Sequence, residues 1–193
     1  MARMALLIDG GHLRVLARIA NKQYNPDFVE SIAYACLGGD ENLLRVLYYD
    51  CAPFNGKVAL PVSGADKEFS KSDSWLLNLA KKDLFAVRRG ILKFRGWEPK
   101  TVPLPPQLPS DNDFKPIFEQ KGVDMRIGLD VASFCDNRSI DRIALLTYDT
   151  DCAPAMKFAR RGGLQTIIIK LPNGSIASEL KYHADYVREV AWP

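Results

Sequence analysis

Two acidic motifs in the chain have residue types and positions that suit a metal site. Asp149 and Asp151 follow the apolar run 143–146, and Asp9 follows the apolar run 4–8. Short apolar runs that end abruptly in polar residues before a helix-forming segment predict buried strands. Ligands of open α/β sheets bind at the carboxyl ends of the strands, so we expect these carboxylates to face one crevice.

A third acidic motif lies upstream of the second strand, in a segment predicted to be helical over residues 123–134. We expect Asp124 of this segment to meet Asp9 and Asp149 around a hard divalent cation. Asp130 follows Asp124 by six residues, so at 3.6 residues per turn it lies on a different face of the helix. Asp130 is therefore expected to act through water, to bind a second ion, or to orient a basic side chain.

Clustered aspartates suit Mg²⁺, and Mn²⁺ accepts the same oxygen ligands. Without a cation the cluster is costly, because like charges a few ångströms apart raise one another's pKa. A bound ion polarises a phosphoryl oxygen, lowers the pKa of a bound water and shields the leaving oxygen. The predicted cofactor is therefore Mg²⁺ or Mn²⁺, an ion that would suit displacement at phosphorus.

Each acidic residue also has a purely structural interpretation. These alternatives are a helix cap for Asp149, Asp151 and Asp124, a tight turn for Asp9, and a solvated surface charge for Asp130. The joint occurrence of the motifs favours the metal site.

The composition is that of an ordinary globular protein. The chain has 193 residues, 47% of them hydrophobic and 25% charged, which suits one domain with a substantial core. No apolar stretch reaches the ~20 residues of a membrane span, the N-terminus is not a secretory signal, and the four cysteines lack CxxC spacing. We therefore expect a cytoplasmic protein without a membrane partner. The sequence leaves open whether the protein forms a homodimer.

Alternating strand and helix patterns predict an α/β domain over residues 1–193, with a central, mainly parallel sheet and helices on both faces. The predicted strands are 4–8, 43–50, 85–95, 118–121, 143–146, 164–169 and 184–187, and the predicted helices are 11–21, 26–36, 66–82, 123–134, 152–161 and 178–183. Residues 51–65 are predicted to be a loop. A proline-rich segment at about 98–117, with Pro103, Pro105, Pro106 and Pro109, is predicted to be an irregular loop that is mobile or serves as a flap at a substrate groove.

A basic stretch and two later basic residues form the predicted track for a nucleic-acid backbone. They are Lys81, Lys82, Arg88, Arg89, Lys93, Arg95, Lys121 and Arg126. Basic side chains beside an acidic metal pocket offset its repulsion of a polyanion. The alternative interpretation of such a run is a solvated surface. The net charge of +3 neither requires nor excludes a nucleic-acid partner.

With these motifs assembled, the sequence resembles the NYN domain family, the LabA-like relatives of PIN-domain ribonucleases. The resemblance runs through essentially the whole chain and is carried by Leu7-Ile8-Asp9-Gly10-Gly11, by Lys121-Gly122-Val123-Asp124 with Leu129-Asp130, and by Leu146-Thr147-Tyr148-Asp149-Thr150-Asp151. It implies a PIN-like fold, a metal bound by aspartates and hydrolysis of RNA. It also implies metal-ligand roles for Asp9, Asp124 and Asp149, and accessory roles for Asp130 and Asp151.

The chain departs from the family pattern in two places. Many relatives have an Asn shortly after the first aspartate, where this chain has Gly11-His12. Their Ser-Gly-Asp-Ser-Asp is Thr-Tyr-Asp-Thr-Asp here, at residues 147–151. The first departure concerns the positioning of substrate more than the binding of metal.

The leading interpretation is a ribonuclease that depends on Mg²⁺ or Mn²⁺, with Asp9, Asp124, Asp149 and Asp151 as its catalytic residues. A catalytically silent RNA- or protein-binding module of the same fold is the main alternative. A metal-dependent phosphatase is a third, although no Asp-x-Asp directly follows the first strand. A Walker-type loop is missing from the sequence, which argues against nucleotide hydrolysis.

Overall fold

The described part of the chain, residues 1–103 and 108–193 of a computed structural model, contains nine strands. They are β1 (Ala2–Asp9), β2 (Glu41–Cys51), β3 (Gly56–Ala59), β4 (Asp66–Phe69), β5 (Phe85–Pro99), β6 (Phe114–Lys121), β7 (Arg142–Leu146), β8 (Gln165–Lys170) and β9 (Tyr186–Glu189). Seven of them form one sheet in the order β6-β5-β2-β1-β7-β8-β9, while β3 and β4 form a separate hairpin. Strand β6 is antiparallel to β5, and the other neighbouring pairs of the large sheet are parallel.

Helices cover both faces of the large sheet. One face carries α1 (Gly10–Ile19), α2 (Pro26–Ala35) and α3 (Ser74–Ala80), and the other carries α4 (Val123–Asn137), α5 (Ala153–Arg161) and α6 (Ser178–His183). Successive side chains of a strand point to opposite faces, so Leu6 of β1 packs in the first layer and Leu7 in the second. The predicted α/β class, with a mainly parallel sheet between two helical layers, is confirmed. Within the described residues, no helix is both long and apolar enough to cross a membrane.

The connections diverge between β1 and β7, and this divergence opens a crevice. Strand β1 continues into α1 on one face, whereas β7 leads to α5 on the other. The two strands are neighbours, with Ile8 paired to Leu146. The residues that follow these two positions therefore leave the sheet side by side at its carboxyl edge, where ligands of open α/β sheets bind.

The prediction for residues 51–82 was wrong in part. Strands β3 and β4 occupy stretches predicted to be a loop and the first turn of a helix, and α3 begins only at Ser74. The helical spacing of Phe69 and Trp75 suggested an earlier start. Phe69 instead packs on Phe94 and Phe118, with ring centroids 6.5 and 5.5 Å away, and this long-range aromatic contact overrides the local pattern.

Strands β5 and β6 are also longer than predicted, and they extend into the proline-rich segment. Strand β5 ends at Pro99 and β6 begins at Phe114, so the irregular part is shorter than 98–117. Strand β6 is at the edge of the sheet, where a proline, which has no backbone N–H, is tolerated. Trp97 of β5 donates its indole N–H to the carbonyl of Ala59 at 2.8 Å, which fixes the small hairpin against β5. Pro105 and Pro106 lie outside the described residues.

Candidate metal centre

Asp9 ends β1 and caps α1. Its Oδ1 accepts a hydrogen bond from the backbone N–H of His12 at 3.0 Å, as the cap of a helix does. Its Oδ2 accepts a hydrogen bond from the hydroxyl of Thr147 at 3.3 Å. Both contacts hold the half-buried carboxylate at the mouth of the crevice.

Asp149 begins the 3-10 turn that follows β7. Its Oδ1 accepts from the backbone N–H of Asp151 at 2.9 Å, and its own N–H donates to the hydroxyl oxygen of Thr147 at 3.2 Å. Thr147 is buried, with 2% of its surface exposed. One buried hydroxyl therefore links the ends of two neighbouring strands, since it donates to Asp9 and accepts from Asp149.

Asp124 lies in the first turn of α4 and completes an acidic group. Gly122, in the left-handed region at φ 78°, turns the chain from β6 into this helix. One carboxylate oxygen each of Asp124, Asp149 and Asp151 lies within 4.8 Å of the other two. The structure thus places Asp151 in the tight group, where an accessory position was predicted, and places Asp9 beside the group rather than in it.

The charges of this acidic cluster oppose one another. Partial desolvation at the crevice and then the charges of Asp149, Asp9 and Asp151 raise the pKa of Asp124 above its ordinary value. Burial and the same acidic surroundings raise the pKa of Cys152 to about 12, so its side chain stays a thiol rather than a reactive thiolate. A cation placed among the carboxylates would relieve the repulsion.

The residues present fit a small hard cation. An octahedral Mg²⁺ holds oxygens at about 2.0–2.1 Å, so two oxygens on opposite sides of the ion are about 4 Å apart. Three carboxylate oxygens within 4.8 Å of one another nearly match that span. Asp124, Asp149 and Asp151 can therefore hold Mg²⁺ or Mn²⁺, with Asp9 as a fourth carboxylate nearby.

Asp130 is not part of the acidic cluster. Its carboxylate accepts two hydrogen bonds from the guanidinium of Arg88, at 2.9 and 3.1 Å, and one from the hydroxyl of Tyr49 at 2.8 Å. Of the three roles expected for Asp130, the structure therefore shows the pairing with a basic side chain, in an ion pair that ties α4 to the sheet. The six-residue separation from Asp124 is the physical reason, since it turns the two side chains to different faces.

The basic residues predicted to follow an RNA backbone do not form one free surface. Most of them are paired with acids: Lys82 with Asp27 and Glu30, Arg88 with Asp130, Arg89 with Asp73, and both Arg95 and Lys121 with Glu119. Apart from Glu119, which shares strand β6 with Lys121, each acid lies far from its basic partner in the sequence, so the linear sequence did not reveal these pairs.

The remaining basic residues lie in different surroundings. Lys81 and Lys82 precede the first residue of β5 and so lie at the amino edge of the sheet, opposite the acidic cluster. Arg126 donates to the carbonyl of Gly122 at 2.8 Å. Among the described residues, no carboxylate pairs with Lys81 or Lys93, and both are exposed.

A buried carboxylate at the same edge of the sheet, outside the acidic cluster, was missed. Asp50, at the carboxyl end of β2, is 2% exposed and forms an ion pair with Arg14 of α1. Its Oδ1 accepts from the backbone N–H of Cys51 at 2.8 Å and from the side-chain amide of Gln120 at 3.3 Å. The available signal was the one used for Asp9 and Asp149, an aspartate that ends an apolar strand.

Comparison with known proteins decides the family. A family model described as NYN domain matches residues 79–191, more than half of the chain. The chain belongs to the NYN domain family. The matched part of this NYN domain includes Asp124, Asp149 and Asp151, whereas Asp9 precedes it. The family is nuclease-like, and the predicted resemblance is confirmed.

Two other proteins are similar to parts or all of this NYN domain. The uncharacterized protein MJ0482 of Methanocaldococcus jannaschii is 32% identical over 77 residues, which cover 40% of this chain and 32% of that protein. The match thus spans about a third of the length of that relative. The crystal structure of VPA0982, a protein of unknown function from Vibrio parahaemolyticus, gives a TM-score of 0.55 over 100% of this chain and 93% of that chain at 14% identity. This likeness supports the α/β fold alone.

Proposed function

We propose that this NYN domain is a ribonuclease that hydrolyses RNA phosphodiester bonds with Mg²⁺ or Mn²⁺. The observation that carries the proposal is the convergence of Asp124, Asp149 and Asp151, whose carboxylate oxygens lie within 4.8 Å of one another beside Asp9. Membership of a nuclease-like family supports the reaction class.

The roles of the side chains follow from their contacts. Asp124, Asp149 and Asp151 would hold the ion, which supplies Lewis-acid activation of a phosphoryl oxygen and of water when bound. The buried Thr147 hydroxyl keeps Asp9 and Asp149 in a fixed relation. Asp9 has lone pairs left beyond its two hydrogen bonds, and it can orient a water molecule in the crevice.

Cleavage of a mixed single-stranded RNA pool tests the proposal. Asp149→Asn removes one ligand while keeping an oxygen that can cap the 3-10 turn. We expect its cleavage rate with Mn²⁺ to fall by at least about 100-fold, since loss of even an outer-shell partner of a metal typically costs 10–100-fold. EDTA should abolish cleavage by the parent protein.

A matched control removes a carboxylate elsewhere. Asp136→Asn changes an exposed aspartate near the end of α4 and should cleave at the parent rate. A folded Asp149→Asn protein that cleaves the pool as fast as the parent would contradict the proposal.

The environment of His12 favours a second candidate, a catalytically silent RNA- or protein-binding module. His12 stands near the position where many relatives have an Asn, but its ring packs on Tyr148 at 4.4 Å and its Nε2 is buried without a hydrogen-bond partner. An imidazole has no amide, and this buried ring does not supply the contact that an Asn would offer a substrate. Calorimetric titration with Mn²⁺, combined with the cleavage assay, separates the two functions: the ribonuclease binds the ion and cleaves RNA, whereas a silent module need not bind the ion and cleaves no RNA in the pool.

A further inference from the structure

A cavity of about 310 Å³ opens between α1, the end of β2 and α3. Its lining includes Arg14, Tyr24, Asp50, Pro53, Trp75 and Leu76. Ligand pockets of proteins measure roughly 300–1,000 Å³, and they combine apolar walls with a few fixed polar groups. This cavity has that size and that composition.

The polar side of the cavity is a fixed ion pair. Asp50 is buried and its oxygens are occupied by Arg14, the hydroxyl of Tyr48, the N–H of Cys51 and the amide of Gln120. The buried carboxylate therefore orients the guanidinium and needs no ligand itself. The Arg14 side chain is still 47% exposed, and a guanidinium has five N–H donors, so donors remain for an oxygen of a ligand.

The apolar side of the cavity is an aromatic stack. The rings of Trp75 and Tyr24 are 5.3 Å apart with an interplanar angle of 7°, and the guanidinium of Arg14 lies 5.6 Å from the centre of the Tyr24 ring. Trp75 and Tyr24 are both partly exposed. A planar indole wall held by a second ring is the kind of surface on which proteins stack unpaired bases.

The cavity lies at the same edge of the sheet as the acidic cluster. Tyr49, the residue before Asp50, is paired in register with Asp9 across β2 and β1. Neighbouring strands are about 4.8 Å apart, and Arg14 belongs to the helix that Asp9 caps. One strand of RNA in the crevice can therefore reach both places.

We infer that the cavity binds one nucleotide of a single-stranded RNA, with its base against Trp75 and a carbonyl or phosphate oxygen on Arg14. The inference rests on the proposed function, because the same RNA strand continues to the aspartate cluster. A free nucleoside monophosphate offers the same chemistry, so the experiment has to separate the two sources.

The experiment measures binding of a fluorescent single-stranded RNA in EDTA, where metal-dependent cleavage is blocked. Ser72→Trp fills the cavity from its exposed rim without removing a core side chain, and Trp75→Leu removes the stacking wall. We expect each variant to lose affinity by at least about 5-fold, since stacking of one base on an aromatic ring contributes that much or more. Ser133→Trp, an exposed change on α4 at the other face of the sheet, should bind like the parent.

A second arm titrates the same proteins with uridine and adenosine monophosphates. Loss of RNA binding in Ser72→Trp, with or without loss of monophosphate binding, supports the inference. Monophosphate binding that Ser72→Trp abolishes while RNA binding is unchanged assigns the cavity to free nucleotides and overturns it. Equal RNA affinity of parent, Ser72→Trp and Trp75→Leu also overturns it, as does a parent protein that binds neither ligand.

Failure of the proposed function gives a different result. A parent protein that binds RNA through the cavity but does not cleave it with Mn²⁺ contradicts the nuclease proposal and leaves the nucleotide site standing. Cleavage that depends on Asp149, together with unchanged RNA binding by Ser72→Trp, overturns the nucleotide site alone. Circular dichroism checks the fold of Trp75→Leu, and Ser72→Trp carries the test if that variant is unfolded.

Discussion

At the scale of single residues, the acidic cluster is an arrangement that the protein maintains against electrostatic repulsion. The pKa of Asp124 is raised by partial desolvation and by Asp149, Asp9 and Asp151. A carboxylate whose pKa is higher in the folded than in the unfolded chain destabilises the folded state when it is ionised. This penalty is present above the folded pKa and is absent below the ordinary value of 3.8.

Removing the Asp124 charge should therefore stabilise the metal-free protein. We expect Asp124→Asn to melt at a higher temperature than the parent at pH 7 in EDTA, and the difference to disappear as the pH falls below 3.8, where the parent carboxyl is protonated in both states. With Mn²⁺ the order should reverse, because a ligand that binds only the folded state stabilises it by an amount that rises with the logarithm of its affinity, and the parent binds the ion more tightly. Differential scanning fluorimetry measures the melting temperatures in EDTA and with Mn²⁺, and Asp136→Asn is the control. A metal-free Asp124→Asn protein that melts below the parent contradicts this account.

Only part of the cluster could be predicted from the sequence. Asp9 and Asp149 follow apolar strands, and that pattern is local. Asp151 was predicted as an accessory ligand, and it lies in the tight group because the 3-10 turn Thr150–Cys152 follows Asp149 directly. The backbone N–H of Asp151 donates to the Asp149 carboxylate within this turn. A turn of three residues leaves no periodic signal, so its effect on the choice of ligands could not be predicted.

At the scale of elements, α4 has two different tasks at its two acidic positions. Its first turn carries Asp124 into the crevice, while Asp130 anchors the helix on Arg88 of β5 and Tyr49 of β2. The helical spacing correctly separated these residues. The partners of Asp130 belong to other elements, and so do the acids that pair with the basic stretch. Local spacing in the sequence does not predict such long-range pairs.

Asp130→Asn should separate anchoring from metal binding. We expect it to lower the free energy of unfolding by about 1–3 kcal/mol, since it breaks a partly buried ion pair of which Arg88 is 41% exposed. The affinity of the folded variant for Mn²⁺ should stay within about threefold of the parent, as the charge removed is outside the cluster. Urea unfolding and calorimetry measure the two quantities. A loss of Mn²⁺ binding as large as that of Asp149→Asn would place Asp130 at the ion after all.

At the scale of the whole molecule, one buried carboxylate joins the two halves of the sheet. Glu41 begins β2, and its fully buried side chain pairs with Arg142 of β7 and Arg188 of β9. Burial opposes its ionisation, but hydrogen bonds from Arg188, from the N–H of Gly38 and from Arg142 outweigh it and lower the pKa of Glu41 to about 2. Strand β1 lies between these partners, so the contact spans the centre of the sheet.

Glu41→Gln should weaken the protein in a way that depends on pH. The lowered pKa gives a stabilisation that is complete above the ordinary value of 4.5 and is lost as the pH falls through about 2. We expect the variant to be about 3 kcal/mol less stable at pH 7, since each pKa unit corresponds to 1.36 kcal/mol. The gap should narrow steadily below pH 4.5 in urea unfolding experiments.

The exposed neighbour of Glu41 supplies the control. Asp40 also pairs with Arg142, but its side chain is 69% exposed, so Asp40→Asn should change stability by less than about 1 kcal/mol. A gap between the parent and Glu41→Gln that stays constant from pH 7 to pH 2 would show that packing, not charge, is lost.

The order of the strands also limits how this protein can be shortened. Residues 79–191, the part that matches the family model, include β5 to β9 and lack β1 and β2. In the sheet those two missing strands lie side by side between β5 and β7. A fragment made of the matched region alone would have a gap of about 14 Å, three strand spacings, between β5 and β7. The backbone amides and carbonyls that β5 and β7 direct into this gap would be unpaired. Such a fragment would retain three of the four crevice carboxylates and have no framework on which to hold them.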